Sequence, residues 1–280
     1  MNLKQNNEFF EPKTEEELNI IRQASKVVSN IISKAKKNIK VGISTKDIDE
    51  IIYNEIKNYN CKPAFLNYRG YPSTSCISID TELVHGIPSK KKIFSYGQVV
   101  SIDVGLILDG FYADAATTVF INNKDRSIKI NEQTKVSLDK IWDLLNTTYD
   151  AMMHAIKILK AGVRTGDLGF EIQNFVEKKG YSVIREYVGH TIGRSLHEKP
   201  DIPNFGTQEE GTRFYEKQVI CIEPMVSMGD FKTKVLEDGW TVIMQDGSLC
   251  AHYEHMVLIG KEKAEILTDP DVIKPQEIYG

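Results

Sequence analysis

The chain has 280 residues, of which 41% are hydrophobic and 26% are charged, a composition typical of a globular protein. Its formal net charge of -4 at pH 7 shows no basic excess, and the lysine-rich stretches at 33–40 and 89–92 are typical of solvated faces, so we expect no nucleic-acid partner. No stretch approaches the ~20 apolar residues of a membrane span, and the polar amino terminus lacks the apolar core of a signal peptide. We therefore expect a cytoplasmic protein with no membrane contact.

The first predicted elements are two helices joined by a short turn. A capping box from Thr14 to Glu17 opens the first, and the turn carries Gly42 and Thr45. The same pattern of residues is repeated at a constant offset of 120 residues. The matched positions are Lys40, Gly42, Thr45, Asp47, Ile48 and Ile52 in the first copy and Lys160, Gly162, Thr165, Asp167, Leu168 and Ile172 in the second. In each copy we expect a helix that ends at the glycine and a Ser or Thr that caps the next helix. Chance similarity between helix caps is the alternative to an internal duplication.

A hairpin is the next predicted element. The dipeptide Asp109-Gly110 joins the runs VVSIDVGLIL and FYADAATTVF, and a two-residue turn there pairs Gly105 with Asp114. Asp103 and Asp114 then lie on the same face, one diagonal step apart, and two crowded carboxylates call for cations between them. A three-residue loop would reverse the parity of one strand, leaving one buried and one surface Asp, and the hairpin alone leaves both readings open.

Three later residues of similar chemistry interrupt or end apolar, strand-like runs. His190 ends YSVIREYVGH, Glu223 ends QVICIEP, and Glu254 lies within CAHYEHMVLI. Four carboxylates and one imidazole suit a pair of divalent cations such as manganese, iron, cobalt or zinc, which is a standard means of activating water for hydrolysis. We interpret the remaining candidates as structural: the histidines His154, His252 and His255, and the cysteines Cys221 and Cys250, which read as small buried residues.

Six motifs stand in one order along the chain: VHGIP (84–88), the hairpin, REYVGHTIGRSLHEKP (185–200), IEPM (222–225), DGWT (238–241) and YEH (253–255). In these motifs the chain resembles the methionine aminopeptidases, specifically the bacterial type I enzymes, from about Lys13 to about Thr268. The resemblance implies a single α+β catalytic domain of the pita-bread fold over 13–268, with similar halves around 14–120 and 135–258 and a site at their seam. The short separation of His197 from Glu223 leaves no room for the helical insertion of type II enzymes.

The resemblance also implies roles for individual residues. Asp103 would chelate one metal ion, Asp114 and Glu254 would bridge both, and His190 with Glu223 would complete the second. His85 would lie near the substrate amine and scissile nitrogen, His197 near the carbonyl oxygen, and Glu223 would also carry a proton. The methionine pocket would be formed by Phe65, Tyr68, Tyr71, Cys76, Leu196 and Trp240. Phe65 stands where related enzymes often have cysteine, and Leu196 where an aromatic residue is common.

The function implied is removal of the initiator methionine from nascent polypeptides when the next residue is small, through two-metal activation of a bridging water by a monomeric enzyme. One alternative is an Xaa-Pro aminopeptidase or dipeptidase of the same fold, although His85 comes too early for the large amino-terminal domain of those relatives. Another is a non-catalytic binding relative, which would have lost ligands or gained basic tails. The insertion 121–135 and the tails 1–12 and 269–280 are predicted to be solvated surface, available for a transient ribosome contact.

Overall fold

The computed structural model describes residues 11–279, which form an α+β architecture, as predicted. The helices are α1 (Glu15–Asn38), α2 (Thr45–Asn58), α3 (Leu138–Ile156), α4 (Thr165–Glu177) and α5 (Pro270–Ile273). The first strands are β1 (Lys62–Pro63), β2 (Ser75–Ile79), β3 (Glu82–Val84), β4 (Val99–Leu108), β5 (Phe111–Asn122), β6 (Ser182–Val183), β7 (Gly189–Thr191) and β8 (Glu198–Ile202). The later strands are β9 (Val219–Ile222), β10 (Met225–Ser227), β11 (Thr233–Val235), β12 (Val242–Met244), β13 (Cys250–His252), β14 (His255–Leu258), β15 (Glu265–Ile266) and β16 (Gln276–Tyr279).

Two five-stranded sheets carry most of the pairing among the described residues. The first has the order β1-β4-β5-β16, with β2 also paired to β4, and the second has the order β15-β14-β9-β7-β8. Two three-stranded sheets, β13-β10-β6 and β11-β12-β3, complete the pairing. Helix α1 packs across β4 and β5, and α3 packs on α4. Apolar side chains from these helices and from both five-stranded sheets form one large buried cluster, so the two sheets share a common core.

The hairpin prediction is confirmed. Strands β4 and β5 pair antiparallel with Leu108 opposite Phe111 and Gly105 opposite Asp114. Asp109 and Gly110 adopt φ angles of 49° and 86°, the two positive values that a type I′ turn requires. The two-residue turn fixes the parity of both strands, which puts Asp103 and Asp114 on one face of the sheet.

The turns before α2 and α4 are matched in their hydrogen bonds. Gly42 N–H donates to the Phe94 carbonyl at 3.0 Å, and Gly162 N–H donates to the Phe214 carbonyl at 2.9 Å. Both glycines have φ above 90°, at 92° and 94°. The expectation that each glycine directly caps the preceding helix is wrong, because α1 and α3 end earlier, at Asn38 and Ile156, and the glycines shape the following turns instead.

The expected Ser or Thr cap holds for one helix of the pair. Ser44 caps α2 by accepting a hydrogen bond from Asp47 N–H at 3.2 Å. The residue before α4 is Arg164, and the Thr165 hydroxyl instead accepts from Thr212 N–H at 3.1 Å. Thr165 is therefore the first residue of its helix and ties it to a neighbouring loop. The duplication itself stays a prediction.

Three further segments differ from the sequence predictions. YSVIREYVGH is broken into β6 and β7 by an intervening bend, so it is not one strand. The carboxyl-terminal segment, predicted to be solvated, forms α5 and the edge strand β16, which runs parallel to β5. Ile273 is fully buried because α5 packs on α1 and β5. In the insertion, Asn131 is buried because its amide donates to Asp80 Oδ1 at 2.6 Å.

Within residues 11–279, every helix is too short or too polar to cross a membrane. The predicted amino-terminal tail lies outside the described residues except for Glu11 and Pro12. Glu11 Oε2 lies 3.4 Å from Arg194, beside the loop between β7 and β8.

Candidate metal centre and active site

An acidic cluster forms where the first five-stranded sheet meets the second. Asp103 and Asp114 project from the hairpin, and Glu254 is brought to them by a hydrogen bond from its N–H to the Ala116 carbonyl at 2.9 Å. One carboxylate oxygen from each of the three acidic residues lies within 4.8 Å of the others. The backbone hydrogen bond between Ala116 and Glu254 therefore joins the first sheet to the second at the place where the carboxylates converge.

His190 and Glu223 flank this cluster from the second sheet. Strand β7 pairs with β9 so that His190 lies opposite Cys221, and Glu223 follows the end of β9. The pairing is close because Gly189 has no side chain; a Cβ there would overlap the Cys221 carbonyl oxygen. His190 Nδ1 lies 3.2 Å from its neighbour's carbonyl, at Thr191, while Nε2 lies 3.6 Å from Glu223 Oε1. An Nδ1–H that donates to the carbonyl leaves Nε2 with its lone pair toward the carboxylates.

Some carboxylate oxygens of this cluster lack a hydrogen-bond partner among the described residues, and a bound cation would take the place of that partner. Asp103 Oδ1, Asp114 Oδ1 and Glu254 Oε1 are buried and have no hydrogen-bond partner among the described residues. Burial and then the neighbouring carboxylates raise the pKa of both Asp114 and Glu254, and burial raises the pKa of Asp103 to about 6. Uncompensated buried carboxylates are costly, whereas oxygen ligands with one imidazole suit divalent cations. The residues present therefore fit the divalent metal ions predicted from the sequence.

One cavity of about 200 Å³ opens onto this cluster. Every residue predicted for the site lines it, together with one further residue, Arg69. The lining residues are Phe65, Tyr68, Arg69, Tyr71, Cys76, His85, Asp103, Asp114, His190, Leu196, His197, Glu223, Trp240 and Glu254. The structure thus brings the predicted metal ligands, histidines and pocket residues into one space, while the role of each stays a prediction.

His85 is held in an uncommon backbone conformation. Its φ is 57°, in the left-handed region that non-glycine residues rarely adopt, and such conformations persist mainly where the surrounding structure enforces them. The ring packs edge-on against Tyr187 and Trp240, with centroids 5.7 and 6.2 Å away. Burial lowers the pKa of His85 to about 4, so the imidazole is neutral at pH 7 and has one donor and one acceptor nitrogen.

His197 is positioned by its neighbours on both sides. Its Nδ1 lies 2.7 Å from the Tyr68 hydroxyl, and its ring centroid lies 4.3 Å from that of His190. Burial and then the Arg69 guanidinium lower the pKa of His197, which favours the neutral ring. A hydroxyl that donates to Nδ1 leaves the proton on Nε2, so the other nitrogen is a donor available to a ligand.

The Glu198 side chain holds the loop that carries His197 in place. Glu198 Oε1 accepts hydrogen bonds from the backbone N–H groups of Arg194 and Ser195 at 2.6 and 3.2 Å. Its other oxygen, Oε2, pairs with Lys13 Nζ at 2.7 Å, and the Lys13 side chain is 2% exposed. This partly buried ion pair fixes the turn that presents Leu196 and His197 to the cavity.

Apolar and aromatic side chains form the opposite part of the cavity. Phe65 packs on the bare backbone of Gly105, where a Cβ would overlap the ring carbon Cε1. Tyr71 meets Trp240 edge to face at 5.2 Å, and its hydroxyl donates to backbone carbonyls of Ser75 and Gly86. Leu196 is buried beside them. These side chains present apolar and aromatic surface to the cavity, which suits an apolar ligand group.

Two residues that the sequence analysis treated as structural lie against the predicted ligands. His252 Nε2 is buried 3.4 Å from Glu223 Oε2, and Cys221 groups with His190 and Glu254, with ligand atoms within 4.8 Å of one another. The proximity of His252 to the ligands could have been predicted from its spacing of two residues from Glu254, because side chains two apart lie on one face of an extended chain. The interpretation of Cys221 as buried is confirmed, although its surroundings are polar on one side.

Comparisons with known proteins agree with this geometry. The model for metallopeptidase family M24 matches residues 19–261. The methionine aminopeptidase of Mycoplasma capricolum is 41% identical over 256 residues, which cover 91% of this chain and 97% of that protein. The solved methionine aminopeptidase of Thermotoga maritima matches with a TM-score of 0.86 and 39% identity, covering 93% of this chain and all of that one. The X-Pro aminopeptidase of Thermotoga maritima matches at a TM-score of 0.72 but 21% identity, and 64% of that chain is covered.

Proposed function

The chain belongs to metallopeptidase family M24 and acts as a methionine aminopeptidase with the pita-bread fold, and we propose that its substrates are nascent polypeptides whose initiator methionine precedes a small residue. One observation carries the proposal: three buried carboxylate oxygens, each without a hydrogen-bond partner among the described residues, lie at one end of a cavity that apolar and aromatic side chains also line. The first feature suits metal-assisted hydrolysis, and the second suits a methionine side chain.

The metal ligands in this proposal are Asp103, Asp114, His190, Glu223 and Glu254. Two divalent cations of manganese, iron, cobalt or zinc held there would lower the pKa of a water molecule and polarise the scissile carbonyl. Four carboxylates balance the charge of two such cations, and the imidazole adds a neutral nitrogen ligand. The Nδ1 contact of His190 with the Thr191 carbonyl supports that residue as a ligand, because it directs Nε2 toward the cluster.

Three side chains would handle the substrate directly. His197, with Nδ1 occupied by Tyr68, would donate from Nε2 to the carbonyl oxygen of the scissile amide. His85, neutral at pH 7, would contact the scissile nitrogen and the substrate amine. Glu223 would accept a proton from the attacking water and deliver it to the departing amine.

Specificity for methionine would follow from the walls of the cavity. Phe65, Tyr71 and Trp240 supply flat aromatic surfaces, and Cys76 and Leu196 complete an apolar lining. The thioether of a methionine side chain makes favourable sulfur–aromatic contacts with such rings, and branched polar side chains cannot make these contacts. The rigid loop bearing His197 would leave little space on the far side of the scissile bond, which favours a small second residue.

The two alternatives are less well supported. For a proline-specific peptidase, the likeness to the X-Pro aminopeptidase of Thermotoga maritima is low in identity and concerns the fold alone. For a non-catalytic relative, the predicted ligands Asp103, Asp114, His190, Glu223 and Glu254 are all present and line one cavity.

We also propose that the protein works in the cytoplasm as a monomer, without membrane or nucleic-acid partners. A transient ribosome contact would use the insertion, which meets the carboxyl terminus where Arg126 Nε donates to the Tyr279 hydroxyl at 2.8 Å. Co-sedimentation with ribosomes, compared between wild type and R126E, tests that contact; equal co-sedimentation would exclude this surface.

The substrate claim is tested with three peptides. The manganese- or cobalt-loaded protein should release methionine from Met-Ala-Ser, leave Met-Lys-Ser intact, and leave an Ala-Pro-Ser peptide uncleaved. Cleavage of the proline peptide in preference to Met-Ala-Ser would favour the Xaa-Pro alternative. If neither Met-Ala-Ser nor Ala-Pro-Ser is cleaved with manganese, iron, cobalt or zinc, a non-catalytic relative would be favoured.

A further inference from the structure

A buried thiol faces the candidate metal ligands and has no part in the function proposed above. Cys221 lies in β9, opposite His190 of β7 and opposite Met256 of β14. Directly paired residues project on the same side of a sheet, and so do residues two apart along a strand. The sulfur therefore shares a face with His190, Glu223 and Glu254.

The distances agree with this register. One ligand atom each of His190, Cys221 and Glu254 lies within 4.8 Å of the others, and all three residues are buried. Glu254 is 2% exposed, and its Oε1 has no hydrogen-bond partner among the described residues. A buried carboxylate oxygen without a partner, on a residue whose ligand atom lies within 4.8 Å of an imidazole nitrogen and a thiol sulfur, is a second observation that points to a cation.

The other cysteines stand in different surroundings. Cys250 directs its thiol to the backbone carbonyls of Asp80 and Glu82 at 3.4 Å, and Cys61 to that of Tyr59 at 3.6 Å. Cys76 lines the cavity and lies opposite Asp103 in the sheet, so it shares a face with that carboxylate, but among the described residues it belongs to no group of three candidate ligand atoms. Among the four, Cys221 is the one that groups with two further candidate ligands.

We propose that Cys221, His190 and Glu254 form a mixed sulfur, nitrogen and oxygen site for a thiophilic divalent cation such as zinc or cadmium. When the metal–sulfur bond forms, the thiol releases its proton to solvent and the sulfur binds as thiolate. This inference rests on the proposed function to the extent that His190 and Glu254 serve both sites. A thiophilic cation bound through Cys221 would therefore compete with the cations that support hydrolysis, whereas manganese, which prefers oxygen ligands, would not use the sulfur.

X-ray absorption at the zinc edge tests the site without reference to activity. Metal-stripped wild-type protein with one equivalent of zinc should show a sulfur neighbour at about 2.3 Å, besides nitrogen and oxygen neighbours at about 2.0–2.2 Å. The sulfur neighbour should be absent from C221S and present in the matched control C250S, whose cysteine is equally buried but remote from the ligands. Zinc with only nitrogen and oxygen neighbours in the wild type would overturn the proposal.

A second measurement covers the case in which C221S does not fold. The wild-type spectrum decides the question without any variant, and circular dichroism reports whether C221S is comparable. Where it folds, its dissociation constant for cadmium should rise about tenfold or more, as expected when a soft ligand is lost, and C250S should match the wild type. Unchanged cadmium affinity in folded C221S would also contradict the site. Methionine release by the manganese-loaded wild type is a separate readout, so failure of the proposed function would be distinguishable.

Discussion

Phe65 and Gly105 offer a sharp test of how the cavity is built. A Cβ at Gly105 would overlap the Cε1 atom of Phe65, and Gly105 lies in the middle of β4, opposite Asp114. The change G105A must displace either the ring or the strand, and overpacking of this kind costs about 1–3 kcal/mol. For a chain of this size, the melting temperature should fall by roughly 2–4 °C for each kcal/mol.

The same displacement should alter substrate binding. The ring has the cavity on its open side, so a shift away from Gly105 narrows a space of about 200 Å³. We expect the KM for Met-Ala-Ser to rise about tenfold in G105A, equivalent to about 1.4 kcal/mol. The F65C variant removes the ring, and G105A added to F65C should cost almost nothing further.

The assay is a double-mutant cycle of wild type, G105A, F65C and the double variant, measured by thermal unfolding and by methionine release. A coupling of at least ~1 kcal/mol between the two changes is expected, since the residues are in direct contact. Additive effects, or a G105A protein as stable as the wild type, would refute the reasoning that Phe65 is seated on the glycine.

Three more predictions concern residues outside the ligand set. Burial lowers the pKa of Lys36 to about 8, although its ammonium group donates to the Val272 carbonyl; K36M removes both the buried charge and this hydrogen bond, so it should be more stable than wild type at pH 7 by less than ~3 kcal/mol, and urea unfolding should show the gap closing between pH 8 and pH 10.5. Y68F removes the hydroxyl 2.7 Å from His197 and should lower kcat about tenfold with little change in KM, whereas a KM effect alone would mean that Tyr68 only lines the pocket. K13M breaks the pair with Glu198 and should destabilise by about 1–3 kcal/mol and lower methionine release; a double variant with E198Q that restores stability would identify the unpaired carboxylate as the cause.

The part of the site that depends on local sequence could be predicted. The Asp109-Gly110 turn fixes the register of its own hairpin, so the positions of Asp103 and Asp114 follow from a few consecutive residues. Glu254 was predicted because a carboxylate in an apolar run demands a partner. In each case the sequence contains both the residue and the reason for its placement.

The rest depends on pairings between distant segments. Cys221 faces His190 only through the alignment of β7 with β9, a pairing between distant segments that QVICIEP alone does not reveal. Strand β16 pairs with β5 from the far end of the chain, which the polar composition of 269–280 conceals. Asn131 is buried by a hydrogen bond to Asp80, a contact between loops that no local pattern indicates. Gly42 and Gly162 form backbone hydrogen bonds to Phe94 and Phe214, which are distant in sequence, so no local pattern indicates these contacts.

The most direct test of the central claim is manganese binding and methionine release measured on the same samples of metal-stripped wild type and D114N. Asp114 lies at the centre of the cluster, and Asn keeps its size while removing one negative charge. Wild type should bind two manganese ions by calorimetry and release methionine from Met-Ala-Ser only when they are bound, and D114N should lose at least one ion and nearly all release. Release by the metal-free wild type in the presence of a chelator, or undiminished release by D114N, would contradict a metal-dependent mechanism at this cluster.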